Sequence, residues 1–215
     1  FFSRTALMYI YMGHMKYENT KPYEDFFWKK NRIDLVFDHV EKVMPESNQL
    51  QLKSGVIFSY DILIIATGSK SNKFGWPGQD VKGVQGLYGY PDLELMEENT
   101  KGINHAVIVG GGLIGIEMTE MLLSRKIGVT MLIREPEFWS AVLPMQEANL
   151  ISRHVRSHHV NLKSNTELKE IKSDANGSVT CVVTNSGETI SCGFVGLAVG
   201  VSPNIEFLKD SGIET

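Results

Sequence analysis

The residues best suited to chemistry in this sequence are Gly110-Gly111-Gly112-Leu113-Ile114-Gly115, a G-x-G-x-x-G. Each glycine has a physical task in such a pattern. Gly110 permits a tight strand-to-helix turn. Gly112 has no Cβ, so a pyrophosphate can approach the backbone. Gly115 lets the helix sit close to the strand. The free N–H groups and the positive end of the helix then face the phosphates. The context is the confirming one, with an apolar strand before, a helix after and a second strand next. The plain alternative is a glycine-rich turn with no ligand.

A second position matters about 20 residues on, at the end of the next strand. An acid there accepts hydrogen bonds from the adenosine ribose, whereas an arginine pairs with a 2′-phosphate. This sequence offers Ile133-Arg134-Glu135. Arg134 pulls toward NADP and Glu135 toward NAD. Periodicity does not fix the strand end to one residue, so the choice stays open, with the balance tilted to NADP.

Other reactive side chains fit simpler readings. His154 and His158 are spaced i, i+4, but no third metal ligand accompanies them, so no metal site is read. Asn176-Gly177-Ser178 suits a hairpin turn better than a glycosylation acceptor. Ser69 has no nearby histidine, which argues against a serine hydrolase. Cys181 and Cys192 fall on separate late strands and read as packing.

These residues need elements to position them. Ala106-Val107-Ile108-Val109 reads as a strand, Gly112 to Lys126 as a helix stopped by Gly128, and Val129 to Ile133 as the next strand. A polar helix spans residues 145 to 159 and leads into Val160-Asn161-Leu162. Two strands follow around 167–172 and 179–184, and a final apolar run covers Phe194 to Val199. Upstream, Ile33 to Phe37, Leu50 to Leu52, Val56 to Phe58 and Ile62 to Ala66 read as strands. Residues 70 to 90, rich in glycine and proline, read as the linker, and Pro91 opens a short helix through Met96. The first segment is unusually aromatic: nine of the 20 aromatic residues lie between Phe1 and Trp28. It needs a cover, whether a cofactor, another part of the chain or a second subunit.

Composition narrows the classes. The chain has 215 residues, 42% of them hydrophobic and 21% charged, with a net charge of −4. That balance is ordinary for a globular chain and argues against a general nucleic-acid binder. No apolar run approaches the ~18 residues that span a bilayer. Two cysteines make no disulfide framework, so a reducing, cytoplasmic setting is expected. The ends, Phe1-Phe2-Ser3 and Gly212-Ile213-Glu214-Thr215, read as those of an internal piece of a longer protein.

Taken together, the residues resemble the FAD-dependent pyridine nucleotide-disulfide oxidoreductase superfamily, on its ferredoxin-reductase-like and NADH-oxidase-like side. The matching stretches are Tyr60 to Ser69 (YDILIIATGS), Trp76-Pro77-Gly78, Val107 to Glu117 and Gly200-Val201-Ser202-Pro203-Asn204, in the family's order. The resemblance implies an α/β fold in which a Rossmann-like NAD(P)-binding domain, a parallel sheet with a β-meander, is inserted in a partial FAD-binding domain. Residues 1–95 would be the FAD-domain segment and linker, 96–203 the NAD(P) domain, and 204–215 the return to the FAD domain.

The same resemblance implies the cofactors FAD and NAD(P)H. The reaction would be hydride transfer from NAD(P)H to FAD and on to an acceptor, a small molecule or a redox protein. By resemblance, Ala66, Thr67 and Gly68 lie against FAD and Arg4 lies near the flavin. Gly110 through Gly115 hold the NAD(P) pyrophosphate, Glu117 is the acid near the reacting rings, and Gly200 meets the nicotinamide end. Many relatives pair that acid with a lysine a few residues after the arginine; here Tyr9 stands at that place. A homodimer is expected from the family. Two alternatives accompany this reading: a thiol-based reductase or peroxidase with its cysteine outside these residues, and a non-catalytic NAD(P)-binding module.

Overall fold

Residues 2–214 are described by a computed structural model. The chain begins with α1 (Leu7–Tyr11), α2 (Phe26–Lys30), β1 (Val40–Met44), β2 (Gln49–Leu52), β3 (Ile57–Ser59), β4 (Ser69–Ser71), β5 (Val84–Gln85) and α3 (Tyr90–Asn99). It continues with β6 (His105–Val109), α4 (Leu113–Ser124), β7 (Gly128–Leu132), α5 (Met145–Ser157) and β8 (Asn161–Lys163). It ends with β9 (Leu168–Ser173), β10 (Val179–Thr184), β11 (Thr189–Ser191), β12 (Phe194–Leu197) and β13 (Val201–Pro203).

Strand β6 shows no polar alternation because both its faces are covered. It is the middle strand of a parallel sheet of order β5-β12-β6-β7-β8. Ala106 and Ile108 join a core with Met96 of α3, Met121 and Leu122 of α4 and Val155 of α5. Val107 and Val109 join a second core with Ile171 of β9 and Val182 of β10. Helices therefore cover one face of the sheet, and the antiparallel meander β11-β10-β9 covers the other. The fold is α/β and Rossmann-like, with the expected meander. Its first hairpin turns at Asn176-Gly177, where Asp174 Oδ1 accepts the N–H groups of Asn176 and Ser178 at 2.8 and 3.0 Å.

The chain forms two units. The first holds residues 2–21 and Ser71–Val201, and the second holds Pro22–Lys70 and residues 202–214. The sequence put the change of domain near residue 95; by contacts, the first unit takes in residues 2–21 and resumes at Ser71. Strand β5 pairs with β12 as an edge of the parallel sheet, and Leu93 and Met96 of α3 are buried in its core.

Part of the aromatic N-terminal segment is covered inside the first unit. Leu7 and Tyr11 of α1 are buried with α3 and α4. The Tyr11 hydroxyl lies 2.7 Å from Thr100 Oγ1. The Arg125 guanidinium sits 3.6 Å above the Tyr11 ring, and its Nε donates to the Tyr11 carbonyl at 3.0 Å. The same guanidinium donates to Glu97 at 2.6 Å. One side chain thus ties α1, α3 and α4 together. Arg125→Ala is expected to cost about 2 kcal/mol, because it removes a charge-assisted bond and a cation–π contact together. Arg125→Lys is expected to recover only part of that, since an ammonium lacks the planar fork that covers the ring while reaching both acceptors. The urea midpoint of each variant measures this.

In the second unit β1-β2-β3 form an antiparallel sheet. Its second turn uses Gly55 at φ +87°, as Ser54-Gly55 implies. Two expected strands are absent: neither Ile33–Phe37 nor Ile62–Ala66 is a strand. A strand needs a neighbour to take up its N–H and C=O groups, and among the described residues neither run is paired in a sheet. Their side chains are open, with Phe37 86% and Ile62 85% exposed.

Among the described residues no group of three or more His, Cys, Asp or Glu could hold a metal ion. No helix among them is long and apolar enough to cross a membrane.

Candidate functional site

The chain leaves β6 at Val109 and must turn into α4 within three residues. Gly110 makes that turn at φ +106°, and its N–H donates to the Leu132 carbonyl of β7 at 2.9 Å. A Cβ on Gly110 would stand 2.3 Å from the Ala198 carbonyl oxygen. A Cβ on Gly115 would stand 2.3 Å from the Gly110 carbonyl oxygen, so α4 rests directly on the turn. A Cβ on Gly111 would fall 2.7 Å from Ile133 Cγ2. Gly112 is the exception: nothing lies within 4 Å of where its Cβ would be. It is the N-cap of α4 and is exposed, as is Leu113 after it. Three glycines are required by packing, and the fourth faces open space at a helix N-terminus, where an anion is favoured.

That space belongs to a cavity of about 750 Å³ in the first unit. Gly110, Gly111, Gly112, Arg134, Glu135, Trp139, Phe74, Trp76, Thr166 and Leu168 are among its lining residues. The strand end left open by the sequence is now defined. Strand β7 stops at Leu132, and Ile133 turns into the helix-side core at 1% exposure. The Arg134 side chain is 80% exposed, that of Glu135 29%, and Arg134 Nε lies 3.2 Å from Glu135 Oε1.

Sequence reasoning missed Trp139. Its indole N–H donates to the Gly111 carbonyl at 2.7 Å, and its backbone sits at φ +62°. Phe138 stacks beside it with centroids 5.6 Å apart. The available signal was two large aromatics, Phe138 and Trp139, placed in a loop just after β7.

The other candidates stand elsewhere. Ile114 and Gly115 support the turn from within α4, and Gly200, Glu117 and Arg4 are not in the cavity lining. Gly200, at φ +94°, accepts the Asn72 N–H at 3.0 Å. Ala66, Thr67 and Gly68 belong to the second unit, where their backbone is exposed. There Thr67 Oγ1 donates to the Asn204 carbonyl at 2.7 Å, and Asn204 N–H donates to the Gly68 carbonyl at 2.9 Å. Tyr9 is 44% exposed, with its ring against His14. The cation that acts on Glu117 is Arg4, whose guanidinium lies 4.2 Å from the Tyr88 ring.

Burial raises the Glu117 pKa above the ordinary carboxylate value; Arg4 opposes the shift and Glu120 adds to it. The sign follows from linkage. A carboxyl whose folded pKa is raised binds its proton more tightly in the native state. Its contribution is fully present below the unfolded pKa and is lost as pH rises through the folded one. Stability measured from pH 4 to 7 is therefore expected to fall more for the wild type than for Glu117→Gln. Equal slopes would show that Glu117 carries no such shift.

The Cys192 thiol is not poised for chemistry. Cys192 is buried, and its pKa is pushed up to about 12 chiefly by that burial. Thiolate reactivity requires the opposite shift.

The sequence matches the pyridine nucleotide-disulphide oxidoreductase family over residues 7–215. The chain belongs to this family. Among curated members it is 30% identical over 192 residues to monodehydroascorbate reductase 2 of Arabidopsis thaliana, covering 86% of this chain and 44% of the relative. It is 28% identical over 189 residues to a rubredoxin-NAD(+) reductase of Pseudomonas putida, covering 87% and 49%. The chain thus spans less than half the length of these two oxidoreductases. A solved ferredoxin reductase from Rhodopseudomonas palustris superposes with a TM-score of 0.92 at 23% identity, over 100% of this chain and 53% of that one. That likeness concerns the fold, and it includes the sheet that carries the glycine turn.

Proposed function

We propose that the protein is an FAD-dependent NAD(P)H oxidoreductase that takes hydride from NADPH in preference to NADH and passes electrons to a separate acceptor. The observation that carries this reading is the Gly110–Gly115 turn. Backbone at Gly110 and Gly115 and the Ile133 side chain at Gly111 hold it to tolerances that exclude a Cβ, while Gly112 opens on a cavity of dinucleotide size.

The residues present fit both groups. For the nicotinamide nucleotide, Gly112 and the start of α4 receive the pyrophosphate, and Arg134 and Glu135 receive the adenosine ribose. The absence of an acid at Ile133 and the free reach of Arg134 favour a 2′-phosphate. For FAD, the exposed Ala66–Gly68 segment, pinned through Thr67 and Asn204, supplies a fixed loop that turns at Gly68 with φ +67°. FAD, when bound, supplies the two-electron acceptor. Glu117 would orient the nicotinamide, with Arg4 tuning its charge, and Gly200 would offer a backbone contact. The chain binds and aligns; the reactivity is the cofactors' own.

The acceptor class is taken from relatives named for monodehydroascorbate and for rubredoxin. The test is the visible spectrum of the full-length protein with FAD, before and after NADPH. Bleaching of the flavin band, reversed by an added acceptor, is the expected result. A bound flavin left oxidised by both NADPH and NADH would overturn the reading.

A further inference from the structure

Resting on that reading of the glycine turn as a pyrophosphate site, we propose that Trp139 is a positioning residue for the pyrophosphate, acting through the Gly111–Gly112 peptide. A peptide unit is planar and trans, so its C=O and N–H point in opposite directions. The Trp139 indole N–H holds the Gly111 oxygen at 2.7 Å, and this fixes the orientation of the whole unit. Without such a hold, a peptide between two glycines can flip at low cost, because both residues tolerate either sign of φ. A flip here would turn the Gly111 carbonyl dipole through half a circle beside the phosphates and disorder the N–H groups that receive them.

The arrangement around Trp139 is costly, and it is held from several directions. A bulky residue at φ +62° is rare, and such backbone persists only where its surroundings enforce it. Phe138, stacked beside the indole, is itself buried, and its N–H donates to the buried Ser152 hydroxyl of α5 at 2.9 Å. The Trp139 carbonyl accepts the N–H groups of Val142 and Leu143 at 2.9 Å each. The loop therefore aims one donor at one carbonyl of the glycine turn.

The test uses the full-length flavoprotein and compares Trp139→Phe with the wild type. Phenylalanine keeps an aromatic ring and the same backbone strain but lacks the donor. Site-specific benzothienylalanine at position 139 is the second variant; it keeps the ring shape and replaces the N–H by sulfur. The probes are ADP, which carries a pyrophosphate, and 2′-AMP, which does not. Both variants are expected to weaken ADP binding about three- to tenfold, the loss of one hydrogen bond's worth of order. Binding of 2′-AMP should be unchanged. NADPH turnover should show a raised KM with kcat unchanged. Unchanged ADP binding in a folded variant overturns the proposal. So does an equal loss for both probes, which would make Trp139 a wall for the adenosine instead. If the wild type binds neither probe, it is the nucleotide reading itself that fails.

Discussion

Gly110→Ala is expected to lower the melting temperature by about 5 °C or more and to raise the KM for the nicotinamide nucleotide at least tenfold. The added methyl would lie 2.3 Å from the Ala198 carbonyl oxygen, which is backbone and cannot swing aside. Alanine would also inherit φ +106°, a region that side-chain-bearing residues rarely enter. Strain of this kind costs of order 1–3 kcal/mol for each source. For a domain of this size each kcal/mol moves the midpoint by ~2–4 °C. The clash also has a direction. Relief requires the turn to part from β12, and Gly115 then loses its seat on the Gly110 carbonyl. Both the fold and the anion site are damaged by one methyl group. Calorimetry and steady-state kinetics on the same sample measure the two effects. A midpoint within 2 °C of wild type with an unaltered KM would contradict the packing described for the turn.

Arg134→Ala is expected to reduce kcat/KM for NADPH by about 10- to 100-fold and to change that for NADH by less than about threefold. A hydrogen bond to a charged group contributes ~1.5–3 kcal/mol, and each 1.4 kcal/mol is tenfold. The Arg134–Glu135 pair at 3.2 Å does not prevent this. An exposed ion pair of neighbours is worth only ~0–1 kcal/mol, so a doubly charged phosphate outcompetes it for the guanidinium. Glu135 opposes that phosphate, and Glu135→Gln is expected to improve NADPH use a few-fold. The opposite pattern, with NADPH untouched by Arg134→Ala and NADH impaired by Glu135→Gln, would make Glu135 the ribose ligand and NADH the donor.

Legibility in the sequence followed coverage. Strand β6 after His105 and strand β12 are apolar because both faces are buried, and both were readable as runs. The run Ile62–Ala66 carries the same pattern, yet it is not a strand. Composition registers the capacity to pair; it does not register whether a partner stands alongside. The glycine motif was legible because each position answers to a steric demand that only glycine meets. Arg134 and Glu135 were found and the balance only tilted to NADP, since the facing of a strand end depends on where Ile133 is buried. Trp139 was missed for a different reason, although two adjoining aromatics, Phe138 and Trp139, follow β7. Its role comes from one hydrogen bond across 28 residues, and no local period encodes such a contact. Strand β5 was not read because, at two residues, it is too short to register as a strand in a glycine-rich stretch.

The Arg125 clasp on Tyr11 joins residues 114 apart in the chain. During synthesis at ~5–20 residues per second, α1 leaves the ribosome roughly 6–23 seconds before the arginine that secures it. Until α3 emerges, Leu7 and Tyr11 have nothing native to bury against, and until Arg125 emerges the helix lacks its clasp. The nascent chain therefore carries a sticky segment that α3 is the first to cover and that is secured only when α4 is complete.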